Sequence, residues 1–174
     1  LEAVAADPER ALPDLPLFTA GERAQLVTEW NDTAWERSGE VCLHELFAAQ
    51  AARTPAAPAV TFEGQSLSYG ELARRAGRLA RDLERLGVGP ETVVGICAER
   101  SLELMVGLLG ILEAGGAYLP LDPGYPRERV AYMLENAAAP VVLTQERLAG
   151  TLPAAARVVC LDTAWPEIER GNWM

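Results

Sequence analysis

The chain has 174 residues, of which 25 are acidic and 15 are basic, so its net charge is −10 at neutral pH. A surface this negative repels phosphate backbones and anionic lipid, which argues against nucleic acid or a membrane as a partner. Apolar residues make up 49% of the chain, enough to build the core of one ordinary domain. No apolar stretch reaches the ~20 residues that a membrane span needs.

Residues 1–38 are interrupted by prolines and contain one helical stretch. The segment Ala20–Trp30 is predicted to form an amphipathic helix, and Thr19 with Glu22 forms a capping box at its start. One side of this helix is apolar and carries Leu26, Val27 and Trp30. We therefore predict that residues 1–38 are an interdomain linker whose helix packs on a neighbouring domain.

Residues 39–174 alternate between helical segments and short apolar segments, which is typical of an α/β fold. Consecutive parallel strands need crossover connections, so the pattern predicts a largely parallel sheet flanked by helices. The predicted helices cover residues 43–53, 69–86, 102–114, 127–136 and 145–149. The predicted strands cover residues 59–62, 92–97, 117–121, 141–144 and 157–161, with a hairpin turn at 62–66 that leads into a short strand at 67–68.

The helix predicted at 69–86 begins with a second capping box, formed by Ser68 and Glu71. The helical period places its apolar residues on one face, which we expect to be in the core. Gly87 is expected to end the helix. The opposite face carries arginines and suggests a phosphate or RNA site, but Asp82 and Glu84 dilute the charge and favour a solvated surface. The core face carries Leu72, Ala76, Leu79, Leu83 and Leu86, and the arginines are Arg74, Arg78, Arg81 and Arg85.

The helix predicted at 102–114 is apolar on almost every side, so we expect it to be buried, with Ser101 as its cap. Gly107 and Gly110 would permit close packing against a strand or helix. No Gly-Lys-Ser/Thr sequence follows them, which argues against a phosphate loop. Gly115 and Gly116 are expected to close the helix in the left-handed conformation.

Isolated polar residues give no constellation of catalytic groups. His44 is the single histidine and is expected to cap or pack at a helix start, and Asp122 is expected to form a turn beside Pro123. The three cysteines are widely spaced and form no metal-binding pattern, so we expect free, buried or inert thiols and a reducing, cytoplasmic location. These are Cys42, Cys97 and Cys160.

Three strings resemble one family. Ala114–Pro123 (AGGAYLPLDP) and Leu67–Leu72 (LSYGEL) resemble core motifs of the adenylation domains of nonribosomal peptide synthetases. Residues 15–34 (LPLFTAGERAQLVTEWNDTA) resemble the connector between condensation and adenylation domains, which implies that the first residues could be the end of a condensation domain. The resemblance implies that residues 39–174 are the N-terminal part of an adenylation domain, within the large subdomain of an adenylate-forming enzyme.

The same resemblance implies an activity for the parent protein. It would use ATP and Mg²⁺ to convert an amino acid to an aminoacyl adenylate, and a carrier domain's phosphopantetheine would receive the acyl group. These enzymes hold ATP with a Thr/Ser/Gly-rich loop that carries a lysine, and no such loop occurs before Met174. We therefore expect an inactive fragment with no catalytic, cofactor-binding or metal-binding residue, whose partners are the neighbouring condensation and carrier domains.

A partner site is predicted where the connection between the helix at 127–136 and the strand at 141–144 carries small residues, a feature that could leave a depression for a partner's aromatic ring. The string AAPVVL, residues 138–143, resembles the surface by which some adenylation domains bind MbtH-like helper proteins. A tight helix-to-strand turn explains the same residues and is the favoured alternative. The predicted interface comprises Ala137, Ala138, Ala139, Pro140 and Leu143.

Two other functions remain open. An acyl-CoA ligase or luciferase relative would share the superfamily, although the linker string and the GGAYLPLDP string are not expected there. A non-catalytic module that docks a helper protein or a neighbouring domain is the third possibility.

Overall fold

Residues 18–34, 41–153 and 156–163, together with Glu9 and Ala11, are described by a computed structural model of the chain. The chain divides into two units, Leu1–Glu40 and Val41–Met174.

In the first unit, helix α1 (Ala20–Ala24) continues as a π-helical turn over Gln25–Glu29. The predicted capping box is confirmed, because the amide of Glu22 donates to Thr19 Oγ1 at 3.2 Å and the Glu22 carboxylate accepts from the Thr19 amide at 2.8 Å. Asn31 ends the helix by donating from Nδ2 to the carbonyl of Leu26 at 2.7 Å. The predicted helix is therefore correct in extent, with a π-helical second half, and its packing on a neighbouring domain stays a prediction.

The second unit contains the remaining elements, whose bounds lie within one residue of the predicted ones except for an earlier start of the second strand. The helices are α2 (Leu43–Arg53), α3 (Tyr69–Arg85), α4 (Leu102–Glu113), α5 (Arg127–Asn136) and α6 (Glu146–Ala149). The strands are β1 (Pro58–Phe62), β2 (Gln65–Ser68), β3 (Val93–Cys97), β4 (Ala117–Pro120), β5 (Val141–Thr144) and β6 (Arg157–Cys160).

Strands β1 and β2 form an antiparallel hairpin of their own. The two turn residues, Glu63 and Gly64, have positive φ angles of 47° and 79°. A two-residue turn with both φ angles positive matches the twist of the flanking strands, which explains why the chain reverses here.

The other four strands form one parallel sheet in the order β4-β3-β5-β6. The central strand β3 pairs with β4 on one side and with β5 on the other, so Val94 lies between Tyr118 and Val141. The chain therefore moves first to one side of β3 and then to the other. Because the chain reverses direction here, the topological switch point of the sheet lies between the neighbouring strands β3 and β5.

Helices cover both faces of the sheet and create two apolar clusters. Because alternate residues of a strand point to opposite faces, Val141 and Leu143 belong to the cluster under α3 and α4, whereas Val142 belongs to the cluster under α5. Leu79, Ile111 and Leu143 are completely buried, and burial of each such side chain contributes about 1.5–3 kcal/mol. The predicted α/β class with a parallel sheet is confirmed.

Two glycines bring α4 close to its neighbours, as expected. A Cβ at Gly107 would lie 2.9 Å from Ile96 Cδ1 and 3.0 Å from Leu161 Cδ1, so this position packs on the sheet. A Cβ at Gly110 would lie 2.8 Å from Leu79 Cδ2, so this position packs on α3. Gly87 and Gly115 close the helices before them with φ angles of +86° and +79°. The expectation that Gly116 is also left-handed is wrong, because its φ is not positive.

Four side-chain environments differ from the predicted ones. Asp82 is buried rather than solvated, and its Oδ1 accepts a hydrogen bond from Arg85 Nη1 at 2.7 Å. Cys42 is exposed because it lies at the start of α2, outside the core, and Leu86 is half-buried where α3 ends. Met105 is 36% exposed on the outer side of the otherwise buried α4.

Candidate functional site

The carboxyl edge of the parallel sheet is the first place to look for a site. In open α/β sheets, ligands bind beyond the carboxyl ends of the strands, at the topological switch point. Here that point lies between the residues that follow β3 and those that follow β5. Each of the four strands is followed, two residues after its end, by a carboxylate: Glu99, Asp122, Glu146 and Asp162.

Side chains connect the ends of β3 and β5 directly. The amide of Glu99 donates to Gln145 Oε1 at 3.0 Å, and Arg147 Nη1 donates to Glu99 Oε1 at 2.8 Å. Arg147 Nη2 also reaches Gln145 Oε1 at 3.4 Å. Below them, the buried Thr144 hydroxyl donates to the carbonyl of Cys97 at 2.7 Å. The switch point is therefore spanned by hydrogen bonds within the protein.

A second set of bonds connects the ends of β5 and β6. The amide of Glu146 donates to Asp162 Oδ1 at 3.0 Å, and the Thr163 hydroxyl donates to Glu146 Oε2 at 3.0 Å. Burial together with the nearby Glu146 carboxylate raises the pKa of the Cys160 thiol to about 11. A thiol with so high a pKa stays protonated at neutral pH and is a poor nucleophile.

The electrostatics of this edge follow from the same contacts. The hydrogen bond from Arg147 lowers the pKa of Glu99, and the bond to Glu99 raises the pKa of Arg147. Burial raises the pKa of the Cys97 thiol, and the nearby Asp122 raises it further. The shifts keep Glu99 and Arg147 charged and the two thiols protonated at neutral pH, so none of these four groups is poised for proton transfer.

The described residues do not fit an ATP or Mg²⁺ site. Across the described ranges, no group of three or more His, Cys, Asp or Glu side chains could hold a metal ion. All 15 basic residues of the sequence are arginines, so no lysine is available to a nucleotide. A Cβ at Gly116 would lie 2.8 Å from Val88 Cγ1, and Asp122 Oδ1 accepts from the Gly124 amide at 2.8 Å. The double glycine is thus a packed helix end, and Asp122 forms the predicted turn.

His44 does not belong to a catalytic group either. It lies half-buried in the first turn of α2, and its charge partly offsets the effect of burial on Glu113, whose pKa is raised. The capping box of α2 instead uses Cys42, whose amide donates to the Glu45 carboxylate at 2.8 Å.

The predicted partner site is a helix end followed by a buried strand. The amide of Ala139 donates to the carbonyl of Leu134, and the amide of Ala138 donates to that of Glu135, both at 3.0 Å. Ala138 occupies the left-handed region with φ of 48°, where glycine is usual. The favoured alternative, a tight turn, describes this geometry.

Only part of the predicted interface is accessible. Ala138 and Pro140 are exposed and Ala137 is half-buried, whereas Ala139 is buried against the α5 cluster. Leu143 is completely buried because it points from the middle of β5 into the cluster under α3 and α4. Leu143 is therefore not accessible to a partner, and the accessible residues of the predicted interface are Ala137, Ala138 and Pro140.

Among the described residues, no helix combines the length and the apolar character required to cross a membrane.

Comparison with known proteins identifies the family. The model of the AMP-binding enzyme family matches residues 47–171. The chain therefore belongs to the AMP-binding enzyme family. It is 47% identical over 169 residues to a linear gramicidin synthase of Brevibacillus parabrevis, a match that covers 97% of this chain and 3% of that protein. It is 43% identical over 168 residues to a dimodular nonribosomal peptide synthase of Bacillus subtilis (strain 168), covering 97% of this chain and 7% of that protein.

Solved structures agree with the sequence relatives. The nonribosomal peptide synthetase FmoA3 in its α-methyl-L-serine-AMP form is 47% identical with a TM-score of 0.76, and the match covers 84% of this chain and 17% of that one. Its AMPPNP-bound form is 44% identical with a TM-score of 0.77, covering 94% and 18%. The resemblance drawn from AGGAYLPLDP and LSYGEL to peptide synthetase adenylation domains is confirmed. The chain spans under a tenth of the curated relatives named above.

Proposed function

We propose that this chain is the N-terminal part of an amino-acid adenylation domain of a nonribosomal peptide synthetase. The continuous similarity to the linear gramicidin synthase, over 97% of the chain, carries the proposal. In the complete protein, the domain converts an amino acid and ATP to an aminoacyl adenylate and pyrophosphate, with Mg²⁺. The acyl group then passes to the phosphopantetheine thiol of a carrier domain.

The contribution of the described residues to this reaction is a scaffold. Their sheet and helices pack around two apolar clusters, and they contain no lysine. ATP, Mg²⁺ and the amino acid are bound by other parts of the complete protein. The proposed neighbours are condensation and carrier domains of the same polypeptide, and residues 1–38 are the proposed linker to the condensation domain. The proposed location is the cytoplasm.

The experiment is amino-acid-dependent ATP–pyrophosphate exchange by the complete protein, with the standard amino acids assayed one at a time. We expect exchange with one or a few amino acids, and none with the 174-residue chain alone. Formation of a fatty acyl adenylate and its transfer to coenzyme A, without amino-acid exchange, would identify an acyl-CoA ligase instead.

A second proposal concerns an MbtH-like partner at the exposed end of α5. Ala138 supports it, because its methyl group is exposed on a left-handed turn where a glycine would carry less strain. An inserted aromatic ring would contact this methyl group and Pro140.

The test is binding of the complete protein to an MbtH-like protein by calorimetry. Ala138→Glu should abolish binding by its bulk and charge, whereas Ala49→Glu, at an exposed position on α2, should leave the affinity unchanged. Ala139→Glu is unsuitable because Ala139 is buried and the change would disturb folding. Equal affinity of the Ala138→Glu variant and the unchanged protein would eliminate this interface.

A further inference from the structure

We propose that Glu99, Gln145 and Arg147 form a polar clamp that closes the switch point of the sheet and excludes nucleotide from it. The exclusion rests on the proposed function, since it concerns the ATP of the adenylation reaction. The closure itself is a property of this fold.

The first argument is the hydrogen bonding of Gln145. This side chain is only 8% exposed, and its Oε1 accepts from the Glu99 amide at 3.0 Å. Glu99 lies two residues after β3 and Gln145 one residue after β5, so the bond connects the two sides of the switch point. The backbone amide that could otherwise bind a phosphate oxygen is therefore already engaged.

The second argument is Arg147, whose guanidinium donates to the side chains of both Glu99 and Gln145. It is committed to an ion pair with Glu99 and also reaches Gln145 Oε1 at 3.4 Å. A phosphate would have to displace the Glu99 carboxylate from this guanidinium. The Coulomb interaction with Asp162 also contributes to the raised pKa of Arg147.

The third argument is the charge of the whole edge. Glu99, Asp122, Glu146 and Asp162 follow the four strand ends at the same spacing, so this edge of the sheet carries four carboxylates. Negative potential at this edge repels a triphosphate. The switch point of this sheet is thus unsuited to the ligand that such positions usually bind.

The test uses four variants of the complete protein: Glu99→Gln, Gln145→Ala, Arg147→Ala and the control Arg157→Ala. Arg157 is exposed at the amino end of β6, on the opposite edge of the sheet. Hydrogen exchange of the segment 98–104 reports on the clamp, and the KM for ATP in pyrophosphate exchange reports on nucleotide binding.

We expect hydrogen exchange of the Glu99 amide to be about tenfold faster in the Gln145→Ala and Arg147→Ala variants. The first change removes the acceptor of this amide, and the second removes the guanidinium that holds Gln145 Oε1 in place. The KM for ATP should stay within about twofold in all four variants, because no nucleotide contact is removed. Arg157→Ala should change neither quantity.

If hydrogen exchange of the segment 98–104 is unchanged in all three clamp variants, the proposed closure is wrong. A KM for ATP raised about tenfold or more in the Arg147→Ala variant, with unchanged exchange at 98–104, would instead place the nucleotide at this edge. If the complete protein adenylates no amino acid, the proposed function fails, and the exchange measurement still decides whether the clamp exists.

Discussion

Gly110 of α4 lies directly against Leu79 of α3. A Cβ built on Gly110 would be 2.8 Å from Leu79 Cδ2 and 3.1 Å from Leu79 Cβ, and Leu79 is completely buried. The absence of a side chain at one residue therefore sets how closely the two longest helices approach.

Gly110→Ala should destabilise the protein although alanine favours helix formation. There is no space for the added methyl group, because both Cδ2 and Cβ of Leu79 lie too close to it. Overpacking of this kind costs about 1–3 kcal/mol. Pulse proteolysis in urea measures the effect. The control is Gly150→Ala, where nothing lies within 4 Å of the added Cβ and stability should be unchanged. Equal stabilities of the two variants would contradict the close approach.

Ala138→Gly should stabilise the turn between α5 and β5. Alanine in the left-handed region costs roughly 1–2 kcal/mol, and the greater freedom of glycine in the unfolded chain returns part of this, so we expect a net gain of about 0.5–1 kcal/mol. Ala137→Gly is the matched control, because Ala137 has the right-handed φ of −85° and its replacement should only destabilise. Hydrogen exchange of the α5 amides measures whether each variant is more or less stable. A loss of stability in both variants would show that Ala138 is not strained.

The Ser68–Glu71 capping box should make α3 sensitive to acid. Hydrogen bonds from the Ser68 amide and hydroxyl lower the pKa of Glu71, so its contribution is complete above pH 4.5 and is lost as the pH falls through the lowered value. Glu71→Gln should remove this acid-dependent loss, whereas Glu84→Gln, at an exposed position on the same helix, should retain it. Helix unfolding monitored by circular dichroism from about pH 2 to neutral pH checks the difference.

Ser68→Ala tests the same cap at neutral pH. It should cost about 1 kcal/mol, because the Glu71 amide loses its acceptor at the start of α3. Urea unfolding of this variant beside the unchanged protein measures the loss, and equal midpoints would contradict the cap.

Glu113 should show the opposite dependence on pH. Burial raises its pKa, with His44 offsetting part of the effect, so the folded protein binds this proton more tightly than the unfolded chain does. Stability should therefore fall as the pH rises from 4.5 through the raised pKa. Glu113→Gln should be more stable than the unchanged protein at neutral pH and should lose that advantage below pH 4.5 in urea unfolding. A variant that is less stable at neutral pH would contradict this assignment.

Local patterns in the sequence determined the elements and their ends. The capping boxes at Thr19 and Ser68 and the glycine at 87 act within a few residues of the chain, so their outcome does not depend on what packs around them. The same holds for the alternation that predicts a parallel sheet, because crossover connections have few alternatives. The family was also accessible from two short strings, and the comparisons confirmed it.

Tertiary structure alone decided which polar groups meet and which small residues are buried. Glu99 and Gln145 are 46 residues apart in the chain, and they form a hydrogen bond only because β3 and β5 are neighbours in the sheet. Leu143 and Ala138 stand in one string, yet the first points into the core and the second into solvent, because the strand pleat and the left-handed turn orient them differently. Asp82 is likewise buried where it borders the core face of α3, although its charge predicts a solvated position. Short-range patterns determine backbone conformation, whereas burial and long-range hydrogen bonds arise only when the strands take their order in the sheet.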